Sequence, residues 1–141
     1  MGTVAKDVIR KGPPCIESVM IVELVGIIMS KTPEEYWSSF VPAAEDAIDN
    51  QTQVPSRSGS ATYRIWKYNH HEERFFIENE NTGRKNSSIG KQEFLNSITR
   101  LLDAGGVVDC GDMNSVGIHE AVMVAIHPWL VTDGEVIRST I

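Results

Sequence analysis

ATYRIWKYNHHEERFFIENENTGRKNSSIGKQEFLNSITRLLDAGG, residues 61–106, changes its hydrophobic period halfway along. Residues 62–69 and 74–80 are rich in β-branched and aromatic side chains and read as two strands. Beyond them Phe94, Ile98, Leu101 and Leu102 recur at i, i+4, i+7 and i+8. That spacing predicts a helix over about 90–103, ended by Gly105 and Gly106. Residues 83–86, with Gly83, Arg84, Lys85 and Asn86, read as a basic turn between the two halves.

The two strands fix a register if His70, His71, Glu72 and Glu73 form the hairpin loop. Asn69 then faces Arg74, Tyr68 faces Phe75 and Trp66 faces Ile77. This places Trp66, Tyr68, Phe75 and Ile77 on one face as cross-strand partners. Tyr63, Ile65 and Phe76 fall on the other, among Lys67, Glu78 and Glu80. A loop one residue longer or shorter would scramble both sets.

Working outward toward the N-terminus, residues 50–60 are rich in Ser, Gln, Pro and Gly and read as an exposed loop. Before it, Thr32, Pro33 and Glu35 supply a cap, a first helical position and a capping-box partner. Tyr36, Trp37, Phe40 and Val41 line one side of that helix. Pro42 ends or kinks it, and residues 43–49 continue it with Ala44, Ala47 and Ile48 inward. Residues 16–29 form an apolar run read as a buried helix, with a strand broken at Gly26 as the alternative. Residues 1–12 are polar and expected to be loose.

Toward the C-terminus, Val107 and Val108 suit a short strand, and Asn114 or Ser115 can cap a last helix. Ile118, Ala121, Val122 and Ala125 are its expected inward face, with Pro128 closing it. Asp133-Gly134 between two apolar segments signals a hairpin, since such a turn needs positive φ. The sum is an α+β fold, helices packed on an antiparallel sheet of about four strands, in a single domain spanning 1–141.

Composition bounds what such a domain does. At 141 residues the chain can bury a sizeable core without covalent staples. With 41% hydrophobic and 23% charged residues, disorder throughout is excluded. The charged residues 1–11 carry no secretory h-region, and residues 16–29 are too short and too interrupted by Glu17 and Glu23 for a bilayer span. Cys15 and Cys110, the two cysteines, are expected as free thiols, and a soluble cytoplasmic protein follows.

The net charge of −6 is uneven. Residues 57–100 hold eight basic and five acidic side chains, a balance of +3, while the rest hold five and fourteen, a balance of −9. Arg84, Lys85, Ser87, Ser88 and Lys91 would crowd the start of the central helix, where backbone N–H groups and hydroxyls suit a phosphate or carboxylate. The plain alternative has Gly90 as cap, Glu93 compensating and the lysines in water. No phosphate-binding glycine motif is present.

A second cluster holds Cys110, His119, Glu120 and His127, with Asp109 and Asp112 nearby. Its spacing is not that of a two-imidazole metal helix; Glu120 and His127 share a face better, and Cys110 as nucleophile with His119 as base is a catalytic reading it allows. Structural roles for these residues outweigh it, and no catalytic residue, cofactor or metal is assigned. Arg64, Lys67, Arg74, Arg84, Lys85 and Lys91, with Tyr63 and Phe76, could serve a nucleic acid, but the acidic chain and the pairing of its aromatics argue against it. The expected function is therefore a small, non-enzymatic binding or interaction domain. Its expected partner is a second copy, forming a homodimer through residues 136–141 if they lie at a sheet edge, or another protein. An anionic small molecule at the basic turn is the alternative, and an enzyme or metal site around 109–127 the third reading.

Overall fold

The computed structural model describes residues 31–141; the apolar run 16–29 lies outside them. Within Pro33–Ile141, helix α1 (Pro33–Asp49) leads into β1 (Val54–Pro55), β2 (Thr62–Asn69), β3 (Arg74–Asn79) and β4 (Arg84–Gly90). Helix α2 (Lys91–Asp103), β5 (Val107–Asp109), α3 (Gly117–Ile126), β6 (Leu130–Asp133) and β7 (Val136–Ser139) follow. The strands form two antiparallel sheets, ordered β1-β2-β3-β4 and β5-β7-β6. The fold is α+β, with helices packed against a four-stranded antiparallel sheet.

The central hairpin turns at residues 70–73, and Asn69 faces Arg74 and Tyr68 faces Phe75, as the pattern requires. The register then breaks between Ile65 and Lys67, so Ile65, not Trp66, faces Ile77. Trp66 is the extra residue of a β-bulge. The bulge puts Tyr63, Ile65, Phe75 and Ile77 on the buried face, and Tyr68 stacks on Phe75 at 4.1 Å. Trp66 goes to the opposite face beside Phe76 and Lys67. The expected pairing of Trp66 with Ile77 is thus corrected: strict alternation would have left Tyr63 and Ile65 outside the core.

Two further expectations change. Residues 84–86 are strand rather than turn, because the reversal occurs at residues 80–83, where Gly83 carries a φ of 75°. Val54 and Pro55, inside the expected loop, pair with Tyr63 and Thr62.

Three helices cover the buried face of the larger sheet: α1 and α3 pack on β2, and α2 packs on β4. Helix α1 runs through Pro42 to Asp49 and buries Tyr36, Trp37, Phe40, Ala44 and Ala47. Helix α2 buries Phe94, Ser97, Ile98 and Leu101. Phe40 lies 4.9 Å from Phe94 and 5.3 Å from Phe75, and Trp37 meets Phe75 and Phe94 edge-on at 5.7 and 5.2 Å. Edge and tilted contacts of this kind add to what area burial supplies.

Helix α3 is rotated from its expected orientation. Glu120, Val122, Met123 and Val124 are buried, whereas Ala125 is exposed and Ile118 and Ala121 are half-buried. In the C-terminal hairpin the two turn residues are Gly134 and Glu135, flanked by the pair Asp133 and Val136. Gly134, with φ 65°, takes the first central position. Strand β7 lies between β5 and β6, so it is the centre of its sheet and not an edge. Among the described residues no helix is long and apolar enough to cross a membrane.

Candidate functional site

Glu120 sits in the most apolar of the described helices and is only 5% exposed. A buried carboxylate needs donors. Its Oε1 accepts the Gly111 N–H at 2.8 Å and its Oε2 accepts the Asn114 N–H at 3.1 Å. Gly111 can turn toward it because its φ of 97° suits glycine. Glu120 therefore moors the loop after β5 to helix α3.

The rest of that loop is equally tied. Asn114 donates from Nδ2 to Glu93 Oε2 at 2.9 Å and to Ser97 Oγ at 3.1 Å, and its Oδ1 accepts the Val116 N–H at 2.8 Å. Arg100 donates to the Met113 carbonyl at 2.9 Å. His119 Nδ1 bonds the same Glu93 Oε2. The polar residues of α2 and α3 thus meet in a network that fixes the joint between the helices.

His127 lies elsewhere, 3% exposed among aromatic rings. It stacks near Phe40 and Phe94, with centroids at 6.1 and 6.0 Å. Its Nε2 donates to the Tyr36 carbonyl at 2.8 Å, so its Nδ1 is free to accept the Trp129 N–H at 2.9 Å. This fixes one neutral tautomer. Burial pushes its pKa down from 6.5 to about 4, only partly countered by the bond to Tyr36. His127 is therefore a neutral core residue.

The residues of the 109–127 cluster therefore part company. His119 joins Glu93, His127 joins the aromatic core, and only Cys110 and Glu120 share a cavity wall. Among the described residues no group of three or more His, Cys, Asp or Glu side chains is placed to hold a metal.

The basic set is spread along β4 and the first turn of α2. Lys85 lies over the Trp66 ring at 4.8 Å, and Ser88 Oγ accepts from Arg74 Nη1 at 3.0 Å. Lys91 pairs with Glu34 at 3.2 Å and Glu73 at 3.7 Å, contacts that raise its pKa, the hydrogen bond it donates to Glu34 most of all. Arg84 and Ser87 come together beside a cavity of about 200 Å³, with Tyr63, Asn86 and Ile118. Gly90 caps α2 without a side-chain bond, and the Lys91 N–H donates to the Glu73 carbonyl at 3.0 Å.

A cavity of about 530 Å³ lies elsewhere, between β1, α3 and the C-terminal hairpin. Gly117, Ala121, Val124 and Ala125 give it one wall, at i, i+4, i+7 and i+8 of α3. Their small size is why the helix leaves space there. Val54 and Pro55 form a second wall; Val131, Thr132 and Ile137 form a third. Cys110, Gly111, Glu120 and Arg57 contribute the polar part. Cys110 is a half-buried free thiol.

Arg57 reaches the cavity from a loop that is itself built. The Ser56 N–H donates to the Ala61 carbonyl at 2.8 Å, and Ser56 Oγ accepts the Ala61 N–H at 3.1 Å. The Arg57 guanidinium touches Glu135 at 3.5 Å, both side chains being exposed. None of β1, Arg57, Val131 or Ile137 stood out in the sequence as a site. The one local signal was the stripe of small residues on α3, which reads equally well as a core face. Comparison with protein families, with curated proteins and with solved structures finds nothing that matches this chain.

Proposed function

We propose that this chain is a small-molecule-binding domain whose site is the groove between β1, α3 and the C-terminal hairpin. The observation that carries the reading is the groove itself: about 530 Å³, walled by aliphatic side chains, with a few polar groups at one part. Ligand sites have this form, about 300–1,000 Å³ of mostly apolar surface with a small number of placed polar groups. The groove is also held open by the fold. Glu120 and Asn114 lock one margin, the β1–β2 turn locks another, and α3 presents no side chain large enough to fill the space.

No chemistry is assigned to the groove walls. Both Glu120 oxygens are occupied by backbone N–H groups, and His119 and His127 are bonded elsewhere. Binding is the function this supports.

A titration with octanol, followed by backbone amide chemical shifts, tests it. Saturable shifts should centre on Val54, Ala121, Val124 and Ile137 and vanish in Ala125→Phe, which places a ring at the groove mouth. Shifts scattered over the surface, or unchanged in Ala125→Phe, would refute the site.

A further inference from the structure

The geometry points to an apolar molecule bearing one carboxylate as the ligand class of this groove, with Arg57 as the residue that reads the carboxylate. This rests on the groove being a binding site, and it adds the head group. The walls made by Val54, Val124, Val131 and Ile137 with Ala121 and Ala125 can take only a hydrocarbon body. The polar groups lining the groove differ in what they still have to offer.

Glu120 is held toward the loop. Its two oxygens hold the Gly111 and Asn114 N–H groups, and its side chain is committed to the loop. Cys110 and Thr132 offer neutral groups. Arg57 keeps most of its capacity: a guanidinium has five N–H donors, and its one ion pair among the described residues is a 3.5 Å contact to Glu135, too long for a firm hydrogen bond. The Glu135 side chain is 91% exposed and can swing into water without loss of packing. A ligand carboxylate can then meet the guanidinium through two parallel hydrogen bonds while its chain lies along α3. The backbone of Arg57 is already held by the Ser56–Ala61 turn, so little ordering is required.

The experiment compares octanoate, octanol and octylamine on the full chain and on Arg57→Gln, by calorimetry and amide shifts. The wild type should bind octanoate roughly tenfold more tightly than octanol, as a charge-assisted hydrogen bond at a partly exposed rim supplies. Octylamine should bind no more tightly than octanol. Arg57→Gln should bring octanoate down to the level of octanol. Raised salt should shrink the preference in the wild type alone. Equal binding of octanoate and octanol by the wild type, or a preference that survives Arg57→Gln, overturns the head-group assignment while the groove stands. Absence of binding by all three probes overturns the groove reading and this inference with it.

Discussion

The two sides of helix α3 face differently built surroundings. Toward α1 and α2, Phe40, Phe75, Phe94, Trp37 and His127 interlock with centroids about 5–6 Å apart. Toward β1 and the C-terminal hairpin, Gly117, Ala121 and Ala125 face Val54, Val131 and Ile137 across open space. Both are apolar, so hydrophobicity alone does not separate a core from a cavity. Side-chain volume does: bulky rings fill the first, and the short side chains on this face of α3 leave the second unfilled.

The sharpest way to break this contrast is to truncate on each side. Phe40→Ala, at a fully buried ring, should cost about 3–5 kcal/mol in denaturant unfolding, because it leaves a cavity in a packed cluster. A loss of less than about 1 kcal/mol would mean the aromatic side is no better packed than the groove.

Next in size is the titration of His127. Its folded-state pKa of about 4 lies below the free value of 6.5, so the neutral ring stabilises the fold fully above pH 6.5. That contribution is lost as pH falls from 6.5 toward 4, and it amounts to about 2–3 kcal/mol. Unfolding midpoints measured across this window should fall steeply in the wild type and more shallowly in His127→Gln. Equal slopes would show that the imidazole is not sealed in the aromatic cluster.

Glu120→Gln sharpens the other side. The amide replaces one acceptor by a donor facing a backbone N–H, and stability should drop by about 2 kcal/mol. Amide exchange should quicken at Gly111 and Asn114 in particular. Protection unchanged at both positions would remove Glu120 as the mooring of the groove margin. The smallest effect is expected at the groove mouth: Ala125→Phe should change stability by less than about 1 kcal/mol, because the added ring has space to enter. A large loss there would mean the groove is tighter than its walls suggest.

Much of the architecture was legible in the residues. The hairpin loop at 70–73, the helix after Gly90 and the inward faces of α1 and α2 follow from period, caps and glycine stops. The bulge at Trp66 was not legible, because alternation assumes an unbroken ladder. The rotation of α3 was hidden for a related reason. Every position from Val122 to Ile126 is apolar, so periodicity could not choose a face, and the polar Glu120 went inward to satisfy a loop distant from its own turn.

By itself, then, the amino-acid order determined the three described helices, the two strands of the central hairpin and the place where that hairpin turns. These are local matters of backbone sterics and of side-chain spacing along one element. Only the tertiary structure decided that β7 is the centre of its sheet, that Glu120 and His127 serve the interior, and that Arg57 meets the small face of α3. Such outcomes depend on which distant groups find one another across the fold, and on the volume left between them, and neither is written in the spacing of any one segment.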